Sequence, residues 1–141
     1  MNPILLVTTD PELTRAVESA LRETPAKVVA TARSAKAAAE ALAQHPSALV
    51  LIDLFLPGNT GMDALKNLKS MNEEGLFILL TRMRTRSHIE RAFRLGAQDV
   101  LYWPVSPEVL TGTILHRLRE QPSAEAEEPE EPAQSKPAPK R

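Results

Sequence analysis

A run of four apolar residues that leads into a single acid constrains this chain more than any other stretch. Positions 49–53 read LVLID, and Pro57 and Gly58 follow shortly after. An apolar run without alternation is typical of a strand buried on both faces of a parallel sheet, and Pro57 and Gly58 indicate a loop. In open parallel sheets, ligands bind outside the carboxyl ends of the strands. Asp53 is therefore the first candidate functional residue.

The rest of the chain alternates apolar segments with amphipathic ones. Four further strands are predicted at positions 4–7, 27–31, 76–81 and 100–102. Side chains that commonly start helices precede four amphipathic segments: Asp10, Ser34, Ser87 and Ser106. The helix after Ser87 is expected to end at Gly96, and a further helix covers about 62–71. Five strand–helix units predict an α/β fold, a flavodoxin-like three-layer sandwich with a five-stranded parallel sheet of order 2-1-3-4-5 and five helices.

Composition excludes several classes of protein. The chain has no cysteine, so disulfides, thiolate metal sites and a cysteine nucleophile are ruled out, and a cytoplasmic location is expected. Its apolar segments are far shorter than the roughly 20 residues that a membrane-spanning helix needs. The formal net charge of −1 provides no general attraction to nucleic acid.

The last 21 residues differ in character from the rest. Residues 121–141 hold five of the 12 prolines, five glutamates, and no aromatic or large aliphatic side chain. Such a segment cannot bury enough apolar surface to offset the entropy lost on ordering. We therefore expect one domain over residues 1–120 and a disordered tail or linker over residues 121–141.

Several segments occur in an order and spacing that resemble one known family. Between about Pro3 and Arg119 the chain reads ILLV with a polar turn, LVLIDLFLPGNTG, FILLT, GAQDVLYWP and a closing amphipathic helix. This pattern resembles the receiver domain of two-component response regulators. The resemblance implies a signalling module rather than an enzyme, with Asp53 as the acceptor of a phosphoryl group from a histidine kinase. It also implies a hydroxyl residue at Thr81 and a cis peptide bond before Pro104.

The chain departs from the family pattern at residues that handle Mg²⁺ and phosphate. Thr8 and Thr9 replace two adjacent acids after the first strand, and Trp103 replaces a lysine before Pro104. Mg²⁺ usually binds through one or two carboxylates, and phosphoryl transfer depends on cations that neutralise the transferring group. We therefore expect no cofactor, weakened Mg²⁺ binding, and a degenerate receiver, or pseudo-receiver, that acts without phosphorylation.

The candidate pocket around Asp53 combines side chains that follow the predicted strands. They are Thr8, Thr9, Thr81, Arg82, Trp103 and Pro104. The three threonine hydroxyls can donate hydrogen bonds to the Asp53 carboxylate. Arg82 either reaches back to neutralise Asp53 or lies in solvent. Asp10 is expected to cap a helix rather than to replace a metal ligand.

A second candidate site is a basic stretch around the fourth predicted helix. Its residues are Arg84, Arg86, Arg91, Arg94 and, from the fifth strand, Tyr102. Arginine together with exposed aromatic side chains is typical of protein interfaces. The resemblance implies that the face formed by helix 4, strand 5 and helix 5 binds another signalling protein or a second copy of the chain. A solvated helix face is the alternative, and neither a membrane nor a nucleic acid is an expected partner.

Two other functions remain open at this point. One is a conventional receiver that is phosphorylated on Asp53 by a histidine kinase despite impaired Mg²⁺ binding. The other is a flavin-binding or enzymatic flavodoxin-like protein, because VTTDPELT after the first strand superficially resembles a phosphate loop. That segment lacks glycine and places Pro11 where amide groups would be needed. Titration with a phosphodonor and Mg²⁺ tests the first alternative, and a flavin absorbance spectrum tests the second.

Overall fold

Five strands alternate with five helices in the computed structural model, which describes residues 2–56, 61–83 and 85–119. The strands are β1 Asn2–Val7, β2 Ala26–Ala32, β3 Leu49–Asp53, β4 Phe77–Thr81 and β5 Asp99–Tyr102. The helices are α1 Pro11–Leu21, α2 Ala35–Gln44, α3 Gly61–Met71, α4 Arg86–Arg94 and α5 Pro107–Arg119. Each strand was predicted to within two residues at either end.

The strands form one parallel sheet in the order β2-β1-β3-β4-β5. This order confirms the predicted α/β, flavodoxin-like fold. Every residue of β3 and β4 is buried, which is why these strands read as continuous apolar runs rather than as alternating ones. Such parallel strands require crossover connections, and the helices provide them.

Helices cover both faces of the sheet and complete the three layers. Alternate residues of β3 point to opposite faces, so Leu49 and Leu51 pack in the cluster that contains α1 and α5. Val50 and Ile52 pack in the cluster that contains α2, α3 and α4. Asp53 follows Ile52 at the carboxyl end of β3 and belongs to neither apolar cluster.

Helix starts follow the sequence signals with one exception. The side chains of Asp10, Ser34 and Ser106 accept hydrogen bonds from amides in the first turns of α1, α2 and α5, at 2.9, 3.0 and 3.2 Å. The prediction that Ser87 caps α4 is wrong, because Thr85 occupies the N-cap position and Ser87 lies within the first turn. Thr85 makes no side-chain capping bond, so local capping did not determine where this helix starts.

The turn after β5 has the predicted geometry, since the Trp103–Pro104 peptide is cis. Each helix in the described ranges falls short of the length and apolarity that a bilayer crossing requires. Three predictions fall outside the described residues: the loop at Pro57 and Gly58, the position of Arg84, and the tail over residues 121–141.

Candidate functional site

The register of the central strands places Asp53 between two threonines. Val7 pairs with Ile52, and Leu80 pairs with Asp53. Thr8 follows Val7 directly and Thr81 follows Leu80, so both hydroxyl residues flank the acid at the carboxyl edge of the sheet. Thr8, Asp53 and Thr81 are all buried. The register therefore brings these three residues to the same edge of the sheet.

Both carboxylate oxygens of Asp53 accept hydrogen bonds from the protein itself. The Thr8 hydroxyl donates to Oδ2 at 2.7 Å, and the Phe55 amide donates to Oδ1 at 2.9 Å. Only 4% of Asp53 is exposed. Hydrogen bonds to an ionised carboxylate are among the stronger ones in proteins, so these two contacts hold Asp53 in place. The Phe55 amide was not anticipated, because turn geometry after a strand leaves no signal in the side-chain sequence.

The three threonines do not all act on Asp53, contrary to the expectation. The Thr8 hydroxyl also accepts a hydrogen bond from the Asp10 amide at 3.0 Å, which ties the β1–α1 turn to the acid. The Thr81 hydroxyl instead donates within its own turn, to the Met83 carbonyl at 3.5 Å, and accepts from the Met83 amide at 2.9 Å. Thr9 is half-buried and lines a separate cavity on the α1 side of the sheet edge.

Arg82 contacts two residues close to Asp53 in the fold, but it pairs with Asp10 and not with Asp53. Its guanidinium binds the Asp10 carboxylate at 2.9 Å and lies 5.5 Å from the centre of the Phe55 ring. The hypothesis that Arg82 neutralises Asp53 is therefore wrong, and so is the alternative of a purely solvated arginine. The Arg82–Asp10 pair joins the turn after β1 to the turn after β4.

Asp10 has a perturbed acidity that reflects these contacts. Partial burial acts to raise the pKa of its carboxyl, but hydrogen bonds from the Glu12 amide, Arg82 and the Leu13 amide outweigh burial, so the pKa lies below its ordinary value. A depressed pKa stabilises the fold at pH values above the unfolded-state pKa, and this stabilisation is lost as pH falls through the folded-state pKa.

Asp10→Asn is expected to remove only the charge of this residue. Asparagine remains a good N-cap, so the loss at pH 7 is the Arg82 pair alone, about 0.2–1 kcal/mol because the pair is partly exposed. Asp10→Ala also removes the cap and costs ~1 kcal/mol more. Urea unfolding at pH 7 and pH 3 measures both variants. The difference between wild type and Asp10→Asn should shrink at pH 3, and an equal difference at both pH values would contradict the assignment.

The donors around Asp53 do not fit Mg²⁺. Thr8 contributes a neutral hydroxyl whose proton already points to Asp53, and Asp10 is occupied by the Glu12 amide and Arg82. Within the described ranges, no three side chains of the His, Asp and Glu types come together as a metal cluster. Mg²⁺ requires near-octahedral oxygen ligands. Asp53 is a single carboxylate that already accepts two hydrogen bonds, so it provides few of the ligands that Mg²⁺ needs.

No cation occupies the position of the family's lysine. Trp103 is half-buried there and packs against the core cluster of α1 and α5, while its amide donates to the Thr81 carbonyl at 2.8 Å. Pro104 is exposed. These two residues close the turn after β5 through packing, and they bring no charge toward Asp53.

The basic helix α4 is only loosely attached to the domain. Ala92 is its one buried residue, whereas Arg86, Arg91 and Arg94 are exposed. Phe93 is also exposed, at 48%. We name Arg86, Arg91, Phe93 and Arg94 the α4 face. Its arginines form no ion pair with any described residue.

Two residues near this region, Tyr102 on β5 and Arg117 on α5, have different surroundings. Tyr102 is half-buried on β5 and therefore presents little ring surface to a partner. Arg117, which lies near this side of the fold, binds the Asp99 carboxylate at 2.5 Å.

A groove of about 490 Å³ between α3 and α4 is lined by Leu54, Phe55, Met62, Asp63, Met83, His88 and Arg91. This groove was missed, because its residues come from four separate segments with no common motif.

Known proteins share this fold and parts of this sequence. The transcriptional regulatory protein RstA of Escherichia coli is 29% identical over 124 residues, which cover 88% of this chain and 51% of that protein. A probable cyclic di-GMP phosphodiesterase of Vibrio cholerae is 33% identical over 93 residues, or 64% of this chain and 21% of that protein. The chain thus spans about half, or less, of the length of these relatives.

Solved structures of receiver domains have the same fold as this chain. The BeF3-activated receiver domain of Klebsiella pneumoniae RstA superposes with a TM-score of 0.75 at 29% identity and covers 84% of this chain and 99% of that one. A CheY-like receiver domain protein of Methanospirillum hungatei gives a TM-score of 0.73 at 23% identity and covers 85% and 95%. The family model described as the response regulator receiver domain matches residues 4–115. The chain therefore belongs to the response regulator receiver domain family.

Proposed function

We propose that this receiver module acts by binding another signalling protein, without phosphorylation of Asp53. The observation that carries the proposal is the hydrogen bond from the buried Thr8 hydroxyl to Asp53, at a position where the family places an acid. The Thr8 hydroxyl is a hydrogen-bond partner from within the protein. The Asp53 carboxylate therefore needs neither a metal ion nor a phosphoryl group as its partner. No cofactor is part of the proposal.

The chemistry of phosphoryl transfer supports this function. Transfer to a carboxylate brings two negatively charged groups together, and metal ions and fixed cations normally neutralise them. Around Asp53 the acids are replaced by Thr8 and Thr9, and the cation by Trp103. Arg82 directly follows Thr81, and Asp10 already binds it. A conventional phosphoacceptor remains the second candidate, because Asp53 and Thr81 keep the positions that this role needs.

The α4 face is the surface through which we expect binding. Three exposed arginines beside an exposed phenylalanine combine the charge and the apolar contact that interface centres often have. Because α4 buries a single residue, its outer surface is available for a partner. Because the α4 face is positively charged, we expect it to bind an acidic surface on that partner.

Binding should therefore depend on α4 and not on Asp53. Arg91→Glu and Arg94→Glu each replace an attraction with a repulsion, so affinity should fall by about tenfold or more. Asp53→Asn should leave affinity nearly unchanged, because the asparagine carbonyl can still accept a hydrogen bond and the residue is buried. The test is to capture the partner from lysate and titrate it against the variants.

Arg22→Glu is the matched control, since Arg22 is an exposed arginine at the end of α1 on the other face of the sheet. It should bind like wild type. If Asp53→Asn abolishes binding while the α4 variants bind normally, the pocket governs output and the proposal is wrong. If the captured partner is a second copy of this chain, the same titration identifies self-association through the α4 face.

A further inference from the structure

A cavity at the carboxyl edge of the sheet, between α1 and β2, is lined by two arginines and by the two threonines that replace the family's acids. Its volume is about 400 Å³, and it is lined by Pro11 together with Thr8, Thr9, Thr14, Thr31, Arg15 and Arg33. The cavity holds no carboxylate among these lining residues. It is distinct from the α4 face, which lies on the opposite face of the sheet.

We propose that this cavity binds the phosphate group of a small organic molecule. Arg15 and Arg33 approach it from different elements, one from α1 and one from the turn after β2. Neither guanidinium forms an ion pair with a side chain in the described part of the chain. Arginine matches phosphate oxygens with paired N–H donors, and two unpaired arginines on one concave surface favour a dianion.

Two of the four threonines that line the cavity already donate hydrogen bonds within the protein, and the other two can donate to a ligand. Thr8 donates its proton to Asp53, and Thr14 donates to the Asp10 carbonyl at 3.1 Å. Thr9 and Thr31 have no such bond within the described residues, so their hydroxyls can donate to an anion. The binding groups are therefore two guanidiniums and two hydroxyls.

Two acids near the cavity, Asp10 and Asp53, already have partners, and Glu12 and Glu18 lie exposed on α1 one turn to either side of Arg15. Asp53 is buried and accepts hydrogen bonds from Thr8 and Phe55, and Asp10 pairs with Arg82. The amides at the start of α1 take no part, because Pro11 has no N–H and the Glu12 amide donates to Asp10. Affinity thus rests on side chains. The volume lies within the usual range of small-molecule sites, which leaves room for an organic group beside the phosphate.

Titration of the full chain with inorganic phosphate and with glycerol 3-phosphate tests the proposal. Backbone NMR spectra at constant ionic strength, maintained with chloride, report the site directly. Saturable shifts of the Thr9 and Thr31 amides are expected, with tighter binding of the ester. Arg15→Gln and Arg33→Gln should each weaken binding by about tenfold or more, as expected for the loss of charged hydrogen bonds.

Arg22→Gln is the control, because it removes an exposed arginine from the end of α1 without touching the cavity. This variant should bind phosphate like wild type. The proposal is overturned if wild type shows no saturable shift with either probe. It is also overturned if Arg22→Gln weakens binding as much as the cavity variants do, since the attraction would then be nonspecific.

Discussion

Acetyl phosphate with Mg²⁺ is expected to leave the intact mass of this chain unchanged under conditions that phosphorylate receivers with the full set of acids and lysine. We expect this because, within the described residues, the groups around Asp53 include neither a metal-binding acid nor a positively charged side chain directed at its carboxylate. Its oxygens accept hydrogen bonds from Thr8 and Phe55, and Trp103 brings no positive charge to the turn after β5. Without cations, the repulsion between the carboxylate and the incoming phosphate is not neutralised.

The variant Thr8→Asp/Thr9→Asp/Trp103→Lys should gain the mass of one phosphoryl group. The two acids supply ligands that Mg²⁺ prefers, and the lysine supplies the missing cation. Intact-mass spectrometry measures both proteins, with Asp53→Asn in the triple variant as the control that removes the acceptor. Circular dichroism checks the fold, because Trp103 is half-buried. Labelling of wild type would refute the proposed function, and a folded triple variant without an adduct would refute this explanation of it.

Gly61→Ala is expected to destabilise the domain strongly. Gly61 begins α3 and is buried against the segment that leaves β3. A Cβ atom there would lie 2.5 Å from the Leu54 carbonyl oxygen and 2.6 Å from its Cα. These are backbone atoms next to Asp53 and cannot turn away as a flexible side chain can. Overpacking typically costs 1–3 kcal/mol, and we expect a loss of about 3 kcal/mol in the free energy of unfolding.

Gly112→Ala is the matched substitution and should have the opposite sign. Gly112 lies within α5, and a Cβ atom there would meet nothing within 4 Å. Alanine favours a helix interior over glycine by roughly 0.5–1 kcal/mol. Urea unfolding of both variants gives the comparison. Equal effects of the two substitutions would show that the close approach of Leu54 to Gly61 does not determine the stability of this turn.

The fold and the position of Asp53 at the end of β3 can be predicted from the amino-acid sequence. Strands β3 and β4 are apolar at nearly every position because both of their faces are buried, and this pattern is readable without coordinates. Asp10, Ser34 and Ser106 start helices through hydrogen bonds to residues two or three positions away, so the signal is local. In a flavodoxin-like sheet, β3 lies between β1 and β4, so Thr8 and Thr81 flank Asp53.

The contacts between side chains at the sheet edge could not be predicted from the sequence. Arg82 lies 72 residues from Asp10 in sequence, and its long side chain could have reached either Asp10 or Asp53. Thr8 and Thr81 look equivalent in sequence, and each hydroxyl accepts a hydrogen bond from the amide two residues further on. The Thr8 hydroxyl donates to Asp53, however, whereas the Thr81 hydroxyl donates to the Met83 carbonyl. Arg15 and Arg33 share a cavity because α1 packs beside the end of β2. Such choices depend on distances of a few ångströms between remote segments, which residue types and spacings do not encode locally.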